Sequence, residues 1–102
     1  MVFAFVRIST NPRVYANPLS LDAAARHVRA WYARRVTCTL LPDEEHHAKV
    51  LDLLRAAGSA GANLVIDAQI AALAIVHRAE VHTADQDFRR FPALECRFPL
   101  QP

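Results

Sequence analysis

The stretch NLVIDAQIAALAIVH, Asn63 to His77, constrains this chain more than any other part of it. It is almost continuously apolar, and its spacing predicts a helix from Leu64 to Val76 with apolar side chains on nearly every side. Such a helix is expected to be buried on most of its surface, so the rest of the chain must pack around it. It is too short to span a bilayer, and it carries Asp67 and Gln69. Asp67 is the anomaly. A carboxylate in an apolar setting is costly unless it is paired, neutralised or bound to a cation. Two readings stand from pattern alone. Asp67 is placed in a first helical turn by the helix dipole, or it is a ligand.

The segments around this helix alternate in type. VFAFVRI near the N-terminus reads as a strand or the tail of a buried helix, and periodicity does not decide between them. Two Asn-Pro pairs interrupt the chain between Asn11 and Pro18. Ser20 is a good N-cap for an amphipathic helix over LDAAARHVRAWYARR. VTCTLL, Val36 to Leu41, is a β-branched run and predicts a strand that Pro42 stops. DEEHHAKVLDLLRAAG predicts a second long helix, with Gly58 as its C-cap, and Ser59 to Asn63 a loop. After the apolar helix come a strand at Glu80 to Thr83, a turn or short helix at Asp85 to Phe91, and a weak strand at Leu94 to Phe98. Strands alternating with helices imply an α/β domain with a largely parallel sheet. The length of 102 residues fits a single domain over 1–102. Only two glycines among abundant Ala, Leu and Arg argue against a turn-rich β-sandwich.

Candidate chemistry gathers beyond the strand VHT. Asp85 and Asp87 follow its carboxyl end, and Thr83 stands two residues before Asp85. In open α/β sheets, ligand sites collect outside the carboxyl ends of the strands. Carboxylates converging there form a hard-oxygen site suited to Mg²⁺ or Mn²⁺. The bland alternative is that Asp85 and Asp87 cap the short helix holding Phe88 and Phe91. Other polar residues carry less. His46 and His47 are adjacent and diverge on a helix. His27, His77 and His82 lack metal-ligand spacing, and Glu80 reads as ordinary surface. Cys38 and Cys96 have no CxxC spacing and read as reduced thiols of a cytoplasmic protein. No serine lies in a nucleophile-elbow pattern, and neither glycine builds a phosphate loop. A net charge of +2 permits a nucleic-acid partner without pointing to one. Arg7, Arg13, Arg89 and Arg90 are candidates for phosphate contacts beside a reading as solvated surface.

The segment NLVIDAQIAALAIVHRAEVHTADQDFRRFPAL resembles the C-terminal half of a PIN domain, specifically that of VapC toxins of toxin–antitoxin pairs. The matching features are Asp67-Ala68, Ala71 to Ala74, His77, Val81 to Thr83, Asp85, Asp87-Phe88 and Phe91-Pro92. FVRISTNPRVY also resembles a VapC segment, which favours helix for Val2 to Ile8. The resemblance implies a three-layer α/β/α sandwich with a mainly parallel sheet. It implies a Mg²⁺-dependent endoribonuclease acting on single-stranded RNA, with Asp67 and Asp85 as catalytic, metal-binding acids. Asp87 would be an accessory ligand and Thr83 a supporting residue, and with RNA as substrate the candidate phosphate contacts Arg7 and Arg13 become candidate RNA contacts. The resemblance further implies a cognate antitoxin partner and a homodimer, while the short apolar run predicts no membrane association.

The departures from the pattern carry expectations of their own. PIN domains open with a hydrophobic strand ending in an acidic metal ligand, often as D-x-N, and these residues contain no such segment. VFAFVRI also lacks the glutamate that many relatives carry there. The reading is therefore of a partial PIN domain lacking the N-terminal strand and following helix, roughly 40 residues. The alternative function is a catalytically inactive remnant that only binds an antitoxin or another PIN chain.

Overall fold

The computed structural model describes residues 1–58 and 64–101, so the loop expected at Ser59 to Asn63 lies outside the described residues. The chain divides into two compact units, Met1–Thr39 and Leu40–Pro102.

In the first unit, α1 spans Val2–Ser9, which settles VFAFVRI as helix. It ends where Thr10 turns its hydroxyl back to the Val6 carbonyl at 2.7 Å, competing with helix continuation. The Asn-Pro segment then folds locally. The Asn11 carboxamide oxygen accepts the Arg13 N–H, and the Leu19 N–H donates to the Ser9 carbonyl at 2.9 Å, closing the loop. Helix α2 spans Leu21–Tyr32. Ser20 caps it as expected, its hydroxyl accepting the Ala23 N–H at 3.1 Å. Phe5 of α1 meets Trp31 of α2 edge-on at 4.7 Å between ring centroids, and Ala24 is buried.

Two expectations are corrected here. The helix stops at Tyr32, short of Arg35, because tight turns take over: the Arg34 N–H bonds the Trp31 carbonyl and the Thr37 N–H the Arg34 carbonyl. Val36 to Leu41 is not a strand. A β-branched run becomes a strand only when another edge accepts its hydrogen bonds, and no described segment pairs with it. Val36 stays 84% exposed.

In the second unit, Asp43 forms a turn by accepting the Glu45 N–H at 3.0 Å, and α3 then spans His46–Ala57. Gly58 ends it at φ +68°, a left-handed backbone that a side chain would strain. Helix α4, Val65–Val76, packs against α3, and its buried Ala68, Ala71, Ala72 and Ala74 share one core with Val50 of that helix. These small residues let Val50, Leu53 and Leu54 approach closely. The expectation of burial on most sides is only partly met. One face of α4 is enclosed, while Ile66 is 71% exposed and Val65 and Val76 are also open, because α3 and the segment after β1 cover it from limited directions.

Strand β1, Val81–His82, runs parallel to β2, Cys96–Arg97, with Val81 opposite Cys96 and His82 opposite Arg97. Between them lies a short 3-10 helix, Gln86–Arg90. Its Phe88, together with Phe91 and Leu94, fills the core over α4. The chain is thus α/β, with four helices and a parallel strand pair among the described residues. No helix among the described residues is long and apolar enough to cross a membrane.

Candidate metal centre

Each acid reaches the site for a local reason. Asp67 is the third residue of α4, in the turn where the helix dipole favours a carboxylate. Its Ala68 neighbour is buried in the core, which holds this turn in place. Asp85 follows the end of β1. The Thr83 N–H is tied to the Arg97 carbonyl of β2 at 3.0 Å, so the chain leaves the strand pair at a defined point. The Thr83 hydroxyl then accepts the Asp85 N–H at 3.0 Å. One oxygen of Asp85 accepts the Asp87 N–H at 2.9 Å and caps the 3-10 helix. Buried Phe88 and Phe91 press that helix onto the core. The capping reading of Asp85 is therefore correct, and it does not exclude a ligand role, because the second carboxylate oxygen stays outside that bond.

Asp67, Asp85 and Asp87 each offer a carboxylate oxygen, and these oxygens lie within 4.8 Å of one another. Two acids two residues apart in the chain thus meet a third from a different element. The burden falls on Asp67. Partial burial raises its pKa above the ordinary carboxylate value, and the charges of Asp85 and Asp87 raise it further. Asp85 and Asp87 are themselves exposed.

The donor chemistry fits a hard divalent cation. Three carboxylate oxygens with no sulfur or imidazole select Mg²⁺ or Mn²⁺ over softer ions. Ligands of one Mg²⁺ at about 2.1 Å lie roughly 3–4 Å apart, so small side-chain rotations would bring these oxygens onto one ion.

The remaining candidates distribute differently. Thr83 joins the acids through its bond to Asp85. Arg7 and Arg13 belong to the first unit, where both are exposed. Arg89 is engaged near its own helix, with its guanidinium 4.2 Å from the centroid of the Phe98 ring.

One group of residues was underrated in the sequence. Glu80 bonds His82 at 2.6 Å and Arg97 at 2.9 Å, and these hydrogen bonds hold its pKa below the usual range. Glu80 immediately precedes β1 and lies two residues before His82, and Arg97 faces His82 across the strand pair, which brings the three side chains together. The alternation at Glu80 and His82 was visible in the sequence; the register to Arg97 was not.

A PIN-domain family model matches residues 5–94, a span that includes all three acids. Ribonuclease VapC33 of Mycobacterium tuberculosis is 38% identical over 100 residues, covering 98% of this chain and 69% of the relative. Ribonuclease VapC37 of the same organism is 39% identical over 98 residues, 96% of this chain and 67% of the relative. Ribonuclease VapC43 is 35% identical over 96 residues, 94% and 65% respectively.

Proposed function

Because the chain belongs to the PIN-domain family and to the VapC ribonucleases within it, we propose that it is a VapC-like toxin and a divalent-metal-dependent endoribonuclease cleaving single-stranded RNA. The observation that carries the proposal is the meeting of three carboxylates within 4.8 Å at the carboxyl end of a parallel strand.

Asp67 and Asp85 would hold the cation, with Asp87 as an accessory ligand. Thr83 is a positioning residue, since its hydroxyl fixes the backbone of Asp85. Mg²⁺, or Mn²⁺ in its place, would supply there an activated water and neutralisation of phosphodiester charge. The mutual repulsion of the acids, which raises the proton affinity of Asp67, is relieved by a cation. Arg7 and Arg13 are assigned to RNA phosphates. A cognate antitoxin, a homodimer and a cytoplasmic location complete the reading.

The test pairs metal binding with cleavage. Mn²⁺ binding followed by electron paramagnetic resonance is expected to weaken about 100-fold or more in Asp85→Asn, since even outer partners of metal ligands matter by 10–100-fold. Cleavage of single-stranded RNA is expected to stop with EDTA and to return with Mg²⁺. Cleavage that persists in EDTA, or in an Asp67→Asn chain, would overturn the metal mechanism. A folded protein that neither binds Mn²⁺ nor cuts RNA would leave the PIN fold as a binding module for an antitoxin or a second PIN chain.

A further inference from the structure

The charge of this chain is divided between its two units. Met1–Thr39 holds six arginines and one acid, Asp22, for a net +5. Leu40–Pro102 holds six cations and nine acids, for a net −3, and the two together give the chain's +2. The modest total conceals a strongly basic N-terminal unit. Among the described residues, none of its arginines forms an ion pair, not even Arg26 with Asp22 one turn away on α2. All of its cations are arginines, whose planar guanidinium both pairs with phosphate oxygens and stacks on rings.

Their arrangement is specific. On α2, Arg26, Arg29 and Tyr32 follow one another at i, i+3 spacing and form one exposed row. Tyr32 is 51% exposed, and Trp31 beside it is 40% exposed although its ring packs against Phe5. Flat aromatic faces interleaved with unpaired arginines form the platform on which unpaired bases stack while their phosphates are neutralised. An acidic peptide would use the arginines and leave the rings unexplained. A polyanion approaching the second unit meets net negative charge, so attraction has to come from the first.

We infer that the α2 row of Arg26, Arg29 and Tyr32 is a docking surface for single-stranded RNA, which binds it independently of the metal. The inference rests on RNA being the substrate class, and it assigns the affinity to residues other than the acids.

The experiment uses the full chain carrying Asp85→Asn, in EDTA, so that binding is read without cleavage. Anisotropy of a labelled single-stranded RNA is followed against salt, together with the emission of Trp31, the only tryptophan. RNA is expected to quench Trp31. Arg26→Gln with Arg29→Gln is expected to weaken binding about tenfold and to reduce the salt slope by about 1.4, the loss of two single-strand phosphate contacts. Tyr32→Leu is expected to weaken binding about fivefold or more while leaving the salt slope unchanged. Arg55→Gln with Arg78→Gln removes the same charge from the second unit and is expected to change little. Equal weakening by both arginine pairs would overturn the inference in favour of net charge alone. It would also fall if a poly-glutamate peptide bound as tightly and lost the same affinity in the Tyr32→Leu chain, which would mark the row as a peptide surface. RNA binding with no cleavage by the wild-type chain in Mg²⁺ would sustain this inference while refuting the ribonuclease reading, and cleavage by the wild-type chain with no loss of binding in the α2 variants would do the reverse.

Discussion

Leu40–Pro102 closes around nine buried apolar residues, whereas Ala24 alone is fully buried among the described residues of Met1–Thr39. The contrast extends to how each unit is held. The second is ordered by packing, with Phe88, Phe91 and Leu94 seated over the alanine face of α4. The first is ordered mainly by local hydrogen bonds, from the Ser20 cap to the Leu19–Ser9 closure, and by edge contacts of Phe5 with Trp31 and His27. The chemistry divides in the same way. Three mutually repelling acids are gathered where a core can hold them against that repulsion. The unpaired arginines lie where side chains are free to meet a ligand.

The most direct way to break this comparison is to cut an aromatic ring from each unit. Phe91 is 2% exposed, and Phe91→Ala is expected to cost about 3–5 kcal/mol of unfolding free energy, the usual range for a buried Phe. That is a large fraction of the ~5–15 kcal/mol typical of a native domain. Phe5 is half-buried, and Phe5→Ala is expected to cost about 1–2 kcal/mol, mostly the lost ring contacts and a smaller area. Urea denaturation followed by circular dichroism measures both. Equal losses would mean that the first unit is organised by burial after all.

A smaller effect sharpens the claim that the first unit depends on local bonds. Ser20→Ala removes the hydroxyl that accepts the Ala23 N–H, and it is expected to cost about 1 kcal/mol. Trp31 lies on the same helix and reports the change as an earlier fluorescence transition in urea. An unchanged midpoint would show that α2 is held by something other than its cap.

Legibility in the sequence follows the same division. The helices announced themselves through local signals: Ser20 before an amphipathic repeat, Gly58 after one, and an alanine-rich apolar run from Leu64. The acids were legible too, because Asp67 violates its apolar context and Asp85 follows a strand. Their approach to within 4.8 Å is a tertiary fact that spacing alone left open. Val36 to Leu41 misled because β propensity is realised only with a partner strand, and partners are non-local. Ile66 misled because the pattern tells which residues are apolar but not how many neighbours are available to cover them. The Glu80–His82–Arg97 group stayed hidden for the same reason, since it depends on the register of two short strands.

The smallest expected effect is the pH dependence of stability, and it tests whether the second unit does work against its own acids. Asp67 has its folded pKa raised above 3.8, by burial first and then by Asp85 and Asp87. Between those two values the folded chain binds more protons than the unfolded one. Its contribution therefore lowers stability as pH rises from below 3.8 through the raised value, and is constant above that. Glu80 acts in the opposite sense. Its folded pKa lies below 4.5, so its contribution is present above 4.5 and fades as pH falls through the folded value. The two partly cancel in the wild-type profile, and Asp67→Asn separates them by removing only the first. The difference between the two chains is expected to grow in favour of Asp67→Asn as pH rises through the acidic range. Its size is limited because Asp67 keeps access to solvent, which screens its neighbours. Mg²⁺ at neutral pH is expected to reverse the order, since an ion bound only by the folded wild-type site adds stability that the Asn chain lacks. Denaturant titrations across the acid range, with and without Mg²⁺, measure both. Parallel profiles in every condition would show that the three carboxylates neither repel one another appreciably nor share a cation.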